Sequence, residues 1–216
     1  MRKLSAEDLR LYAVTDRAWA GDTDGLLRQV AEAIDGGARI VQLREKRLDE
    51  ADFLAEARRF AALCREKGAV SIINDSAEIA RLAGADGVHV GQSDLAAGRA
   101  RAILGPDAVV GVSAHSLPEA LAARDAGADY LGVGAAFPTG TKADARPIDR
   151  AVYRTVTAAV DIPVVAIGGI TRENLPELTG CGLAGVAVVS ALFAQRDVRA
   201  AAAELRRLSE AAFSGR

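Results

Sequence analysis

The chain has 216 residues, enough to bury a complete core as one domain, and half of these residues are hydrophobic while 26% are charged. The formal net charge of -2 at pH 7 argues against a nucleic-acid-binding surface and against attraction to an anionic membrane. The two cysteines, Cys64 and Cys181, fit neither a metal-binding nor a redox spacing, so both are predicted to be reduced packing residues.

The sequence carries no sign of a membrane or secretory segment. No apolar stretch precedes Leu9, and no run approaches the ~20 apolar residues of a membrane span. We therefore expect a cytoplasmic protein that acts on small molecules. The sequence leaves open whether it forms a homo-oligomer.

Short apolar runs alternate with longer amphipathic stretches along the whole chain. The runs are rich in Val and Ile and mostly lack polar alternation, which is typical of parallel strands buried on both faces. In chain order they predict eight strands: Leu9–Thr15, Ile40–Leu43, Val70–Ile73, Gly87–Val90, Val109–Val112, Tyr130–Val133, Val164–Ile167 and Gly185–Val189.

A helix is predicted after each of these strands. Apolar residues recur at steps of three and four in these stretches, as at Val198, Ala201, Leu205, Leu208 and Ala212, and as at Phe53, Ala57, Phe60 and Cys64. Side chains that can cap a helix N-terminus stand at several predicted starts, namely Asp49, Ser76, Ser116 and Thr171.

A weak internal repeat supports the count of eight units. Gly37, Gly84, Gly127 and Gly182 each follow a helical stretch and precede a strand, where glycine closes a helix in the left-handed conformation. Each interval holds two strand–helix units of roughly 24 residues, so eight units account for nearly the whole chain.

These patterns predict an α/β fold, a single (β/α)8 TIM barrel over residues 1–216, with loose ends at about 1–8 and 213–216. The alternative, an open doubly wound sheet, would be expected to carry a glycine-rich fingerprint after the first strand. Thr15, Asp16 and Arg17 stand there instead, which favours the barrel.

Functional side chains of such barrels lie at the carboxyl ends of the strands. After the second strand, Gln42, Arg44 and Lys46 alternate with apolar or acidic residues and are predicted to face the barrel mouth together. Two cations and an amide suit a phosphate or diphosphate. The alternative is a solvated strand end with an Arg–Glu pair.

Two carboxylates and an amide follow the next two strands. Asn74 and Asp75 end the third strand and Asp94 follows the fourth, without nearby His or Cys partners. Magnesium takes one or two protein carboxylates together with substrate phosphate oxygens, so Asp75 and Asp94 are predicted to bind Mg2+. The alternative is that both aspartates only cap the following helices, a role that can coexist with metal binding.

The remaining strand ends also carry groups suited to phosphate. Ser113 ends the fifth strand, and the long loop after the sixth strand contains Thr139, Thr141 and Lys142, which resembles an anion cradle in which Lys142 neutralises a leaving group. The seventh and eighth strands end in Gly168-Gly169 and Val189-Ser190, where barrels often bind phosphate with backbone amides. Two anion sites across one mouth predict two phosphorylated substrates.

The two histidines are less informative. His89 lies within the fourth strand and is predicted to be a packed or hydrogen-bonded residue. His115 could contact substrate or belong to the start of a helix. No Ser–His–Asp or Cys–His order is visible, which argues against hydrolysis by acyl transfer.

In combination these motifs resemble the thiamine phosphate synthase family, also called thiamine-phosphate pyrophosphorylases. The resemblance extends over essentially the whole chain in the family's order, and it is specific as a combination although each motif alone is modest. The matching segments are Tyr12–Asp16, Val41–Lys46, Ile73–Asp75, Gly84–Asp94, Pro138–Asp144 and Ala166–Ile170.

The resemblance implies a transferase that couples 4-amino-2-methyl-5-hydroxymethylpyrimidine diphosphate with thiazole phosphate, giving thiamine phosphate and diphosphate. It implies dissociative departure of diphosphate assisted by Mg2+, followed by capture of the pyrimidine cation by the thiazole nitrogen. Whether the thiazole is carboxylated is left open.

The resemblance also implies a role for each matching residue. The pyrimidine diphosphate would be held by Gln42, Arg44, Lys46, Asn74, Ser113 and Lys142, with Arg44, Ser113 and Lys142 as catalytic residues, and Asp75 and Asp94 would bind magnesium. The thiazole phosphate would be held by Thr139, Thr141, Gly169, Val189 and Ser190.

The chain departs from the family pattern at two places. Ser76 replaces the arginine that often follows Ile-Asn-Asp, and Gly134-Ala135-Ala136-Phe137 replaces the usual Gly-Pro. Two other functions share the barrel: a thiazole tautomerase, which needs one substrate and acid–base chemistry, and a regulatory barrel that only binds a phosphorylated ligand.

Overall fold

Eight parallel strands form a closed barrel in which each strand pairs with its neighbour in sequence and β8 returns to β1. A computed structural model describes residues 4–91, 97–139 and 146–213 of the chain. The predicted TIM barrel is confirmed, and every predicted run contains a strand. The strands are β1 (Leu11–Val14), β2 (Ile40–Leu43), β3 (Val70–Asn74), β4 (Gly87–Val90), β5 (Val109–Ala114), β6 (Tyr130–Gly134), β7 (Val164–Ile167) and β8 (Gly185–Val188).

The helices surround this barrel. They are α1 (Thr23–Asp35), α2 (Glu50–Glu66), α3 (Ala77–Ala83), α4 (Ala97–Leu104), α5 (Leu117–Asp125), α6 (Arg150–Ala159), α7 (Ser190–Phe193) and α8 (Val198–Phe213). Short 3-10 helices span Asp8–Arg10, Arg17–Trp19 and Leu175–Leu178. Within the described residues, no helix combines the length and apolar content that a membrane span requires.

Most of the predicted helix ends form as expected. The side chains of Asp49, Ser76 and Ser116 each cap a helix N-terminus by accepting a hydrogen bond from the backbone amide three residues on. Gly84 ends α3 with a positive φ of 66°.

The helix predicted after β7 is wrong in type. Between β7 and β8 the chain forms only the 3-10 helix Leu175–Leu178, and Thr171 lies in the turn before it rather than at an α-helix N-terminus. Pro176, the second residue of this helix, has no amide to donate, and Gly180, with a φ of 76°, turns the chain away soon after the helix. Too few residues remain between these two for a regular helix.

The hydrophobic core has two layers. The outer layer, between the strands and the helices, is mostly aliphatic and contains both free cysteines in buried positions. Burial raises the pKa of the Cys64 thiol, which keeps it protonated and fits the predicted packing role. Asp8 and Phe213, at the inner edges of the two predicted loose ends, are both buried.

The inner layer fills the barrel with every second side chain of the strands, including Tyr12, Ile72 and Tyr130. Gly111 on β5 provides space for the Tyr130 ring, since a Cβ at Gly111 would lie 2.1 Å from Tyr130 Cζ. Glycine is therefore required at position 111 because the ring of Tyr130, on the adjacent strand β6, occupies the space of a Cβ.

This contact predicts that Gly111→Ala lowers the free energy of unfolding by about 1–3 kcal/mol, because overpacking displaces a buried ring. Gly98→Ala is a matched control. Gly98 is an exposed residue of α4, and among the described residues one non-local atom, Ala126 O at 3.8 Å, lies within 4 Å of its Cβ position, so alanine there should be neutral or stabilising. Urea unfolding measures both variants. Equal stability of the two would show that Tyr130 moves without cost.

Candidate active site

A cavity opens at the carboxyl ends of the strands, where the predicted site residues were expected to meet. The described residues of that set that line it are Gln42, Arg44, Asn74, Ser113, Thr139, Gly169, Val189 and Ser190. Lys46 and Asp75 contact each other beside Asn74. Three further predicted residues, Asp94, Thr141 and Lys142, lie outside the described residues.

Arg44 reaches the cavity from the end of β2 and is held by the end of β1. Its guanidinium lies 3.1 Å from the Asp16 carboxylate, and its backbone amide donates to Thr15 Oγ1 at 3.0 Å. The alternative of an Arg44–Glu45 pair is not what forms, because Glu45 faces away from the cavity and pairs with Arg17. Strand alternation thus separates the cavity-facing arginine from the buried glutamate.

Glu45 fixes the loop that carries Lys46. Its Oε2 accepts from Arg17 Nε at 2.5 Å, and its Oε1 accepts from the backbone amides of Lys46 at 2.7 Å and Arg47 at 2.6 Å. Burial alone raises the pKa of the Glu45 carboxyl, but these hydrogen bonds outweigh it and hold that pKa below its ordinary value. The ionised Glu45 carboxylate therefore orients the loop after β2 by itself, and no bound substrate is needed for this.

Asp75 occupies an unusual backbone position for a residue other than glycine. Its φ is 66°, in the left-handed region that aspartate tolerates better than most residues. Its Oδ2 accepts from Lys46 Nζ and from Asn74 Nδ2, each at 2.5 Å. The residue that caps α3 is Ser76, so the capping alternative does not account for Asp75.

Below the cavity, polar side chains form a hydrogen-bonded chain through the barrel interior. Gln42 Nε2 donates to Tyr12 Oη at 2.7 Å, and Tyr12 Oη lies 2.8 Å from Tyr130 Oη. Tyr130 Oη is 2.9 Å from His89 Nδ1, and His89 Nε2 is 2.9 Å from Ser113 Oγ. Burial raises the pKa of both phenols, so they remain protonated donors.

The opposite wall of the cavity comes from the ends of β6, β7 and β8. Gly169 has a φ of 67°, and a Cβ there would lie 2.5 Å from the carbonyl oxygens of Phe137 and Pro138. Asn174 Nδ2 donates to the Gly169 carbonyl at 2.9 Å. Glycine at this position is thus required by its own conformation and by the adjoining segment.

Sequence reasoning missed part of the cavity lining. Tyr12 and His89 both contribute to the cavity, although His89 was predicted only to pack or to form hydrogen bonds. His115 lines the cavity, and its backbone amide donates to Glu119 Oε2 at 2.8 Å beside the start of α5; its contact with substrate stays a prediction. The available signal for the interior chain was one polar residue on each of five strands: Tyr12, Gln42, His89, Ser113 and Tyr130.

Comparison with known proteins agrees with this geometry. The family model described as thiamine monophosphate synthase matches residues 11–192. The chain is 43% identical to a thiamine-phosphate synthase of Methanobrevibacter smithii over 92% of this chain and 94% of the relative, and 45% identical to one of Ruminiclostridium cellulolyticum over the same shares.

A solved structure of a thiamine phosphate pyrophosphorylase from Pyrococcus furiosus superimposes with a TM-score of 0.87 at 38% identity. The superposition covers 96% of this chain and 98% of that one. The matches extend over the whole barrel, including the strand ends that form the cavity. The chain is therefore an enzyme of the thiamine monophosphate synthase family.

Proposed function

We propose that the chain joins the aminopyrimidine diphosphate to the thiazole phosphate, releasing diphosphate and thiamine phosphate. One observation carries the proposal: a wall with Arg44 faces a wall of backbone and hydroxyl groups at Gly169, Val189 and Ser190 across a single cavity. A charged wall suits the diphosphate, and backbone donors suit a smaller phosphate. Reaction in a cytoplasmic setting belongs to the same proposal.

In this reaction the bond between the methylene carbon and the diphosphate oxygen breaks, and its electron pair leaves with the diphosphate. The thiazole nitrogen then supplies the electron pair of the new carbon–nitrogen bond. No protein nucleophile is needed, so the side chains act by position and charge. Arg44 and Lys46 neutralise the departing diphosphate, and the family resemblance assigns Lys142 the same role.

The donor set around Asp75 fits a magnesium ion. Asp75 Oδ1 accepts no hydrogen bond from the described residues, and oxygen ligands of this kind are what a hard cation requires. When bound, magnesium would supply further neutralisation of the diphosphate charge. Asp75, and Asp94 by the resemblance, would hold it together with substrate oxygens.

The direct test supplies both phosphorylated substrates and magnesium and follows thiamine phosphate and released diphosphate. We expect both products in equal amounts. Isomerisation of a thiazole phosphate without coupling would favour the tautomerase, and tight binding without turnover would favour the regulatory barrel. Running the assay with thiazole phosphate and with its carboxylated form identifies the preferred acceptor.

Asp75→Asn should lower turnover about 100-fold and weaken the response to magnesium, because the amide lacks the negative charge that holds the cation. Asparagine tolerates the left-handed backbone, so the fold should persist. Asp35→Asn is the matched control. Asp35 Oδ1 lies 2.7 Å from Lys67 Nζ, and this Asp–Lys pair does not line the cavity. Unchanged magnesium titration in Asp75→Asn would remove Asp75 from the metal site.

Lys46→Gln should raise KM for the pyrimidine diphosphate about tenfold while leaving KM for thiazole phosphate unchanged, because one cation is lost from the diphosphate wall only. Lys67→Gln, the other half of the control pair, should change neither constant. Steady-state kinetics with each substrate varied in turn measures the difference. If KM for thiazole phosphate rises instead, the two substrates are assigned to the wrong walls.

A further inference from the structure

The interior hydrogen-bonded chain has only one self-consistent direction. Tyr12 Oη contacts the Gln42 amide nitrogen, which can only donate, and Tyr130 Oη. The Tyr12 proton therefore goes to Tyr130. Among the described residues, His89 Nδ1 is then the acceptor left for the Tyr130 proton.

This direction determines the state of His89. Nδ1 accepts from Tyr130, so a neutral ring carries its proton on Nε2 and donates it to Ser113 Oγ at 2.9 Å. The chain thus begins at one cavity-lining side chain, Gln42, and ends at another, Ser113. Each hydroxyl and ring nitrogen along it has a defined role as donor or acceptor.

Tyr130 is the central link and lies away from the cavity surface. It is fully buried, and it is absent from the cavity lining to which Tyr12 and His89 contribute. Its ring meets the Tyr12 ring edge-on, with centroids 5.8 Å apart. Gly111 leaves space for the Tyr130 ring, and at Gly132 an added Cβ would lie 3.1 Å from His89 Cε1. Glycines on the adjacent strands β5 and β6 therefore leave the space that the rings of Tyr130 and His89 occupy.

We propose that Tyr130 is a positioning residue for substrate binding, acting through Tyr12 on Gln42 and through His89 on Ser113. Its hydroxyl holds His89 in the Nε2–H tautomer and holds the Gln42 amide with its nitrogen toward the barrel interior. The side chains of Gln42 and Ser113, which both line the cavity, are thereby held in place before substrate binds. The inference rests on the proposed function, in which Gln42 and Ser113 hold the pyrimidine diphosphate.

Tyr130→Phe removes this hydroxyl and keeps the ring that fills the barrel. We expect KM for the pyrimidine diphosphate to rise about fivefold to tenfold, the usual effect of one net hydrogen bond, with kcat changed by less than about twofold. KM for thiazole phosphate should stay unchanged. A merely structural role would lower the active fraction without this separation between the two substrates.

Tyr153→Phe is the matched control. Tyr153 is also fully buried, and its hydroxyl donates to the Val133 carbonyl at 3.1 Å in the outer layer, outside the interior chain. Its loss should reduce stability by a similar amount and leave both KM values unchanged. Equal KM values in Tyr130→Phe and Tyr153→Phe would overturn the proposal.

A second measurement does not depend on catalysis. The chain has two histidines, so 15N-histidine labelling of a His115→Gln background leaves His89 as the one labelled ring. We expect Nε2 to carry the proton and Nδ1 to be unprotonated, and we expect Tyr130→Phe to lose this preference. An Nδ1–H tautomer in the parent protein would refute the inferred direction.

Calorimetric titration with the pyrimidine diphosphate separates the two hypotheses. If the parent protein binds this compound and Tyr130→Phe binds it about fivefold more weakly, the positioning role stands even where no coupling occurs. In that case the proposed function alone fails. If coupling occurs but the two proteins bind the compound equally, the positioning role alone is wrong.

Discussion

Closure of the barrel directs every second side chain of each strand into its interior, where a buried polar atom is costly unless it is hydrogen-bonded. Gln42, Tyr12, Tyr130 and His89 enter this space from four strands and satisfy one another there. Apolar side chains of the inner layer surround them, and His89 also contacts Ser113 Oγ at 2.9 Å. The floor of the cavity is thus organised by the same requirement that holds the barrel together.

Above this floor, the charged side chains at the cavity and in the loop beside it are paired within the chain. Arg44 is matched by Asp16, Lys46 by Asp75, and Arg17 by Glu45 and Glu56. The first two pairs are partly exposed and contribute little to stability, so an anionic ligand can replace the carboxylate at small cost. The pairs around Arg17 are buried and hold the loop after β2. The charges of Arg44 and Lys46 are thus available to a ligand, whereas the charge of Arg17 supports the loop after β2.

The strands were predictable because their signal is local. Runs such as Ile40–Leu43 and Val164–Ile167 are short, mostly apolar and bounded by arginine, proline or glycine, and the strands have these bounds. The prediction of a helix after β7 failed because Pro176 and Gly180 together shorten this segment, and hydrophobic periodicity does not reveal their effect. At the cavity, strand-end position was enough to find Gln42, Arg44 and Ser113, but the link from Tyr130 to His89 depends on pairing between distant strands.

The backbone of Asp75 limits what can stand at that position. A left-handed residue at the end of β3 admits glycine, asparagine and aspartate at low cost, and among these only aspartate carries a charge. Drift from aspartate to either of the others would leave the barrel intact, because α3 is capped by Ser76 and not by Asp75. Selection for folding therefore does not act on the Asp75 carboxylate. If a lineage retains aspartate at this position, the cause would be selection for the ligand that the carboxylate binds.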